Sequence, residues 1–130
     1  MEDKVQTGQT LFDRLGGTVG ISAIVDDIVV AHMENPTVRA RFLPVLAQPE
    51  RLKTIKAHTV NFLAMGSGGA ATYTGRSMRD AHTGMNISGE EYLAVIDDIM
   101  GVLRKRQLDD ETQKDVLAIA YSLKGEIVRL

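Results

Sequence analysis

The sequence predicts an all-α fold. Apolar residues recur with helical spacing along most of the 130-residue chain, and no segment shows the alternation of apolar and polar residues that is typical of strands. Two helix starts carry capping signatures, Thr10 with Asp13 and Ser88 with Glu91. Residues 66–75 cannot be regular structure, because four of the ten are glycine. These features predict four substantial helices, two or three short ones and one glycine-rich loop.

The first half of the chain is expected to hold four helices in succession. A short helix spans residues 10–15 and stops at the glycine pair 16–17. The second covers 18–35, where Asn35 and Pro36 end it and begin a third that reaches Phe42. Residues 43–48 connect this third helix to a longer one over 49–65. The inner stripe of the longer helix is predicted to be Leu52, Ile55, Thr59, Phe62 and Leu63.

The second half is expected to hold one single-turn helix and two longer helices. Ser77 is the predicted N-cap of the single turn, with Asp80 as its reciprocal partner. The next helix starts at Ser88, where Ile87 and Tyr92 are placed to form a hydrophobic staple. The last helix begins near residue 109 and runs almost to the terminus. Its predicted buried residues are Val116, Leu117, Ala120, Leu123 and Ile127.

Composition narrows the class of protein. The 15 basic and 17 acidic residues give a net charge of −2, so neither nucleic acid nor an anionic membrane is an expected partner. The absence of cysteine excludes disulfides, thiolate zinc sites and cysteine nucleophiles. No apolar run is long enough to span a membrane, and residues 1–9 are polar without a signal-peptide core. We expect a polar extension over 1–9, one domain over 10–130, and a cytoplasmic protein.

The single turn before His82 is the most informative local feature. Helix nucleation is costly, so a turn this short adds little stability and is better explained if it aims one side chain. Met78 lies four residues earlier and projects from the same face as His82. The three histidines, at 32, 58 and 82, lack the spacing of a zinc site, whereas a haem iron needs only one or two protein ligands. His82 is therefore either a haem ligand or a loop histidine bonded to backbone.

The other histidines have different interpretations. His32 faces inward on the second helix and is interpreted as a hydrogen-bonded core residue. His58 lies at the flank of an inner stripe, 24 residues before His82. It could pack beside the core, bind iron as a second ligand, or touch a cofactor carboxylate. Arg76 and Arg79 form either a solvated face or partners for acidic cofactor groups.

Several motifs together resemble the truncated haemoglobins of group I. They cover nearly the whole chain from Thr10: LFDRLGG at 11–17, the break at 35–36, Phe42, VNFLAMGSGG at 60–69 and YTGRSMRDAHTGMNIS at 73–88. The resemblance implies a two-over-two helical sandwich around one b-type haem, with His82 as the proximal iron ligand. The haem-contacting residues that it implies are Phe42, Ile55, Thr59, Met78, Ile87, Tyr92 and Val95.

The distal side departs from the usual pattern of that family. Many relatives have a tyrosine and one or two glutamines there that hydrogen-bond dioxygen. The corresponding residues here are Val29, Ile55 and Thr59, of which only Thr59 can donate a hydrogen bond. His58 falls where some relatives supply a sixth iron ligand and others a contact to a haem propionate. No histidine follows His82, so a covalent histidine–haem link is not available.

The resemblance implies reversible binding of oxygen, nitric oxide or carbon monoxide, and hence a role such as oxygen transport. Two alternatives stay open: a two-histidine haem protein for electron transfer or redox sensing, and a haem enzyme that converts nitric oxide, nitrite or peroxide with a reductase as partner. A haem-free helical interaction domain is a further alternative. We expect a monomer or a weak dimer.

Overall fold

Helices make up most of the protein. The computed structural model describes residues 9–130, so the predicted N-terminal extension, apart from Gln9, lies outside the described residues. The helices are α1 (Leu11–Arg14), α2 (Gly17–Glu34), α3 (Arg39–Leu46), α4 (Pro49–Gly66), α5 (Met78–His82), α6 (Gly89–Lys105) and α7 (Asp110–Ser122), followed by a 3-10 turn (Lys124–Glu126). Over residues 9–130 the β contacts amount to one isolated bridge between Ile87 and Val128. The prediction of an all-α fold is confirmed.

Two helix pairs form the body of the fold. Helix α2 packs on α4, and α6 packs on α7, while α2 crosses α6 to join the pairs. The main core lies where the helices cross. Its buried residues are Leu15, Ile21, Ile24, Val25, Ala64, Val102, Leu103 and Val116. This is the predicted two-over-two arrangement. Among the described helices, none combines the length and the apolar character needed to cross a membrane.

A second core cluster lies beside α6. Its buried residues are Ile87, Tyr92, Ile96 and Ile127, so the predicted staple between Ile87 and Tyr92 forms. The Tyr92 hydroxyl donates a hydrogen bond to the carbonyl of Ala120 and thereby joins α6 to α7. Burial raises the pKa of Tyr92, because the charged phenolate loses its hydration.

The third helix begins and ends later than predicted. The side chain of Asn35 accepts a hydrogen bond from the amide of Thr37 at 3.0 Å, and its carbonyl accepts one from Arg39 at 2.8 Å. These bonds form a turn over 36–38, so α3 starts only at Arg39. Residues 43–46 are helical although they were predicted to be a connector. Val45 is buried there, which offsets the backbone bond that Pro44 cannot donate.

The last helix ends earlier than predicted. Helix α7 stops at Ser122, and the chain then turns back towards the segment before α6. The amide of Arg129 donates to the carbonyl of Ile87, and the amide of Asn86 donates to the carbonyl of Leu130, both at 2.8 Å. These bonds replace those that a continued helix would have made. Leu117, which was predicted to be buried, is 38% exposed.

Candidate functional site

A cleft of about 540 Å³ opens between α4, the loop before α5, and α5 itself. Its lining residues are Arg51, Thr54, Ile55, His58, Thr59, Phe62, Tyr73, Thr74, Gly75, Arg76, Met78 and Ala81. Along the 18 residues of α4 only Ala64 is a buried residue. The stripe predicted to face the core therefore faces the cleft at Ile55, Thr59 and Phe62.

Helix α5 orients His82 through main-chain contacts. Ser77 caps the turn by accepting a hydrogen bond from the amide of Asp80 at 3.1 Å, as predicted, although the reciprocal bond to the Asp80 carboxylate does not form between these two described residues. Nδ1 of His82 lies 2.7 Å from the carbonyl oxygen of Met78. A carbonyl can only accept, so in the neutral ring Nδ1 carries the proton and Nε2 presents a free lone pair.

His82 does not itself line the cleft. Two residues of its short helix do, namely Met78 and Ala81. Met78 also packs against the second core cluster, so this side chain connects the cleft to the interior beneath α6. His82 is half-buried and belongs to α5, the element that closes one side of the cleft.

The segment that follows His82, residues 83–88, is fixed from two sides. We call it the α5–α6 linker. Nη1 of Arg41 donates to the carbonyl of Met85 at 3.0 Å, and the final residues of the chain pair with Asn86 and Ile87. Asn86 adopts a left-handed conformation, with φ of 48°. The linker thus has defined partners on both α3 and the C-terminal segment.

An ion pair supports the same linker. Nε of Arg41 lies 2.5 Å from Oε2 of Glu91, and Nη2 lies 2.9 Å from Oε1. Glu91 also completes the predicted capping box at Ser88. The hydrogen bond from Arg41, followed by that from the Ser88 amide, lowers the pKa of Glu91 to about 2. The same contact raises the pKa of Arg41.

His58 borders the cleft from α4. Its ring meets that of Tyr73 edge-on, with centroids 5.9 Å apart and an interplanar angle of 78°. Tyr73 in turn meets Phe62 edge-on at 5.2 Å, and its hydroxyl donates to the carbonyl of Arg76 at 2.6 Å. The predicted position of His58 at the flank of the stripe is therefore a position inside the cleft.

Two of the three predicted distal residues line this cleft. Ile55 and Thr59 line the cleft, whereas Val29 lies half-buried on α2 outside its lining. The Thr59 hydroxyl, the one donor predicted among the three, donates to the carbonyl of Ile55 at 2.8 Å. Its single proton is thus engaged in the backbone of α4 rather than directed into the cleft.

Phe42 belongs to a different cluster. Its ring stacks on the imidazole of His32 with centroids 4.9 Å apart and an interplanar angle of 26°. Nδ1 of His32 lies 2.7 Å from Oδ2 of Asp98, and Asn35 donates to the other carboxylate oxygen at 3.0 Å. The prediction that His32 is a hydrogen-bonded core histidine is confirmed.

The remaining predicted contacts also lie outside the lining of the cleft. Ile87 and Tyr92 are in the second core cluster, and Val95 is half-buried on α6. Conversely, the sequence interpretation missed Arg51, one helical turn before Ile55, and Tyr73, which opens the YTGR motif. Both carried a usable signal, helical spacing for Arg51 and the motif itself for Tyr73.

The layered helix pairs and the cleft between α4 and α5 define a two-over-two helical protein of the globin class. Residues 10–129 match the family model for bacterial-like globins, and the chain belongs to that family. Membership of a globin family implies binding of haem.

Named relatives agree with this assignment. The chain is 29% identical over 115 residues to a group 1 truncated haemoglobin of Synechocystis sp., covering 85% of this chain and 89% of that protein. It is also 29% identical over 119 residues to a group 1 truncated haemoglobin of Nostoc commune, covering 92% and 97% respectively. The predicted resemblance to the truncated haemoglobins of group I is confirmed.

Solved structures show the same fold. A truncated haemoglobin of Tetrahymena pyriformis superposes with a TM-score of 0.83 at 21% identity, covering 94% of this chain and 100% of that one. A group II truncated haemoglobin of Bacillus anthracis superposes with a TM-score of 0.79 at 19% identity, covering 93% and 92%. These superpositions support the fold, and the similarity to group 1 truncated haemoglobins rests on sequence.

Proposed function

We propose that this globin reversibly binds oxygen or another diatomic gas at a b-type haem whose iron is held by His82. The observation that carries this proposal is the contact between Nδ1 of His82 and the carbonyl of Met78. It fixes the proton on one ring nitrogen and leaves Nε2 as the donor atom for iron. A histidine oriented in this way on a five-residue helix has the chemistry of a proximal ligand.

The cleft beside α5 suits the same cofactor. Ile55, Phe62 and Met78 supply apolar walls, and Arg51 and Arg76 supply cations that can pair with acidic substituents of the cofactor. A haem bound there supplies the iron that takes up and releases the gas. Phe42, Ile87, Tyr92 and Val95 lie outside the lining of this cleft and stay predicted pocket residues.

The distal residues favour fast exchange of the gas. Ile55 and Val29 have no polar hydrogen, and the Thr59 proton is engaged by the carbonyl of Ile55. With this arrangement none of the three side chains adds a hydrogen bond to the gas. We propose weaker oxygen retention than a distal tyrosine or glutamine would give.

A second candidate function follows from His58. Because His58 lines the same cleft, we propose that it competes with the gas as a second iron ligand. A two-histidine state of this kind suits electron transfer or redox sensing. The apparent gas affinity would then equal the intrinsic affinity multiplied by the fraction of molecules in which His58 is displaced from the iron.

The test of the proximal role is haem uptake by His82→Gly. The wild-type apoprotein is expected to bind haemin stoichiometrically, with a sharp Soret band, and to release unmodified haem into acidified butanone as a b-type protein does. His82→Gly is expected to lose the band and regain it with added imidazole, which replaces the missing ring. Full haem binding by His82→Gly without imidazole would refute the assignment.

The test of the second ligand is the ferric spectrum of His58→Ala. We expect a low-spin six-coordinate component in the ferric spectrum of the wild type and a fully high-spin spectrum in this variant. Thr54→Ala is the matched control, because Thr54 lines the same cleft one turn away and carries no imidazole. An unchanged spectrum in His58→Ala would refute the second ligand while leaving the role of His82 intact.

A further inference from the structure

We propose that Tyr73 is a positioning residue that holds the His58 imidazole against the loop wall of the cleft. It thereby sets how often His58 is free to reach the iron. The inference rests on the proposed role of His58 as a competing ligand. Tyr73 would then set the ratio of His58-bound to open haem, and so the fraction of molecules in which gas can bind.

Tyr73 is itself held by three contacts. Its hydroxyl donates to the carbonyl of Arg76 at 2.6 Å, and its ring meets Phe62 edge-on at 5.2 Å. The third contact is with Gly75, where an added Cβ would lie 2.5 Å from the Tyr73 hydroxyl oxygen. The backbone at Gly75 thus packs directly against this ring. Tyr73 is a fixed wall rather than a free loop side chain.

The His58 ring rests on that wall. The centroid distance of 5.9 Å and the angle of 78° are those of a favourable edge-to-face pair. Both rings line the cleft, one from α4 and the other from the loop opposite. To coordinate iron, the imidazole must leave this contact. The pair therefore favours the state in which the sixth coordination position is open.

The expected effect is moderate. An aromatic pair of this kind changes an equilibrium by roughly 2- to 13-fold. Tyr73→Ala is therefore expected to raise the ratio of His58-bound to open haem by a factor in that range. Tyr73→Phe keeps the ring and removes only the bond to Arg76, so it should stay close to the wild type.

The first measurement uses the haem-loaded protein. We expect Tyr73→Ala to increase the low-spin ferric fraction and to slow carbon monoxide association with the ferrous protein by a similar factor. In a His58→Ala background the same substitution should change neither quantity. This pair of backgrounds separates control of His58 from general loosening of the loop. An equal effect of Tyr73→Ala in both backgrounds would overturn the inference.

The second measurement examines the contact between the two rings. In the diamagnetic carbon monoxide complex His58 is displaced from iron, so its ring-proton NMR shifts report its packing. These shifts should move in Tyr73→Ala and stay near the wild-type values in Tyr73→Phe. Unchanged shifts in Tyr73→Ala would overturn the inference while His58 remained a ligand. If His58→Ala leaves the ferric spectrum unchanged, both the second ligand and its control by Tyr73 fail, and haem uptake through His82 still stands.

Discussion

Arg41 and Glu91 join α3 to α6 through two parallel hydrogen bonds, of 2.5 and 2.9 Å. The same guanidinium donates to the carbonyl of Met85, in the α5–α6 linker that follows His82. One charged side chain therefore holds both the start of α6 and the segment that leads out of the proposed proximal helix. The contribution of the Arg41–Glu91 pair to the free energy of unfolding is expected to depend on the ionisation of Glu91.

That dependence gives a prediction at acid pH. The folded-state pKa of Glu91 is lowered from 4.5 to about 2, so the pair contributes fully above about pH 4.5 and is lost as the pH falls towards 2. Glu91→Gln keeps a side chain that can cap Ser88 but removes the charge, at a cost of about 2 kcal/mol near neutral pH. Urea unfolding of both proteins should show the difference shrinking at about pH 3.

The control for this prediction is Glu90→Gln, at an exposed neighbouring position on the same turn. It removes one carboxylate from the first turn of α6 without touching Arg41, and we expect a change of a few tenths of a kcal/mol. A constant difference between Glu91→Gln and the wild type across the acid range would contradict the assigned cause.

A second prediction concerns the glycine pair at 68–69. Gly68 has φ of +100°, and a Cβ on Gly69 would lie 2.6 Å from the Phe12 ring and 2.9 Å from the carbonyl oxygen of Ala64. Gly69→Ala is therefore expected to lower the free energy of unfolding by about 1–3 kcal/mol, because a ring and a backbone must both shift. Denaturant unfolding measures the change.

The matched control is Gly66→Ala, at the end of α4, where an added Cβ would meet nothing within 4 Å. We expect this substitution to be neutral or stabilising by less than about 1 kcal/mol. Similar losses in the two variants would show that chain flexibility, rather than the contact with Phe12, requires glycine at position 69.

A third prediction concerns the half-buried carboxylate of Asp98. It accepts from both His32 and Asn35, so Asp98→Ala leaves two donors without their partner. We expect a loss of about 2–4 kcal/mol in the free energy of unfolding. Asp98→Asn retains one oxygen acceptor and should lose less. Asp97→Ala is the exposed control, and a loss there as large as in Asp98→Ala would indicate a general effect on α6.

A fourth prediction rests on the proposed haem site. Because the Thr59 hydroxyl donates to the carbonyl of Ile55, Thr59→Val should change the oxygen dissociation rate by less than about 2-fold. Thr59→Gln places a longer donor at the same position and should slow dissociation by about 10-fold or more. Stopped-flow replacement of oxygen by carbon monoxide measures both. A large acceleration in Thr59→Val would mean that the hydroxyl turns towards the gas.

Local patterns predicted the elements that are governed by neighbouring residues. The capping box at Ser88 located the start of α6, and Ser77 located the start of α5. The sequence analysis also placed His32 on the inward face of α2, where it is buried. At the two helix starts the stabilising partner lies within one or two turns, so a short window of sequence contains the whole interaction.

The predictions that were wrong have two causes. Either the stabilising partner is distant in sequence, or a residue that could cap a helix instead forms a turn. The bonds from Arg129 to Ile87 and from Asn86 to Leu130 span more than 40 residues, and periodicity gives no sign that α7 should stop to make them. The stacking of Phe42 on His32 is likewise a tertiary contact. At Asn35 the side chain could cap either a helix or a turn, and the turn formed.

The acceptor for Nδ1 of His82 is a main-chain carbonyl, and this makes the orientation of the ring resistant to substitution. No substitution of the side chain at position 78 removes this carbonyl oxygen. Only a change that distorts the short helix can therefore break the hydrogen bond to His82. A neutral carbonyl also withdraws the ring proton less than a carboxylate would, leaving the imidazole a weaker electron donor. Mutation of single residues is thus expected to be a poor means of retuning this proposed ligand, and the residues proposed to vary the iron's behaviour are His58 and Tyr73.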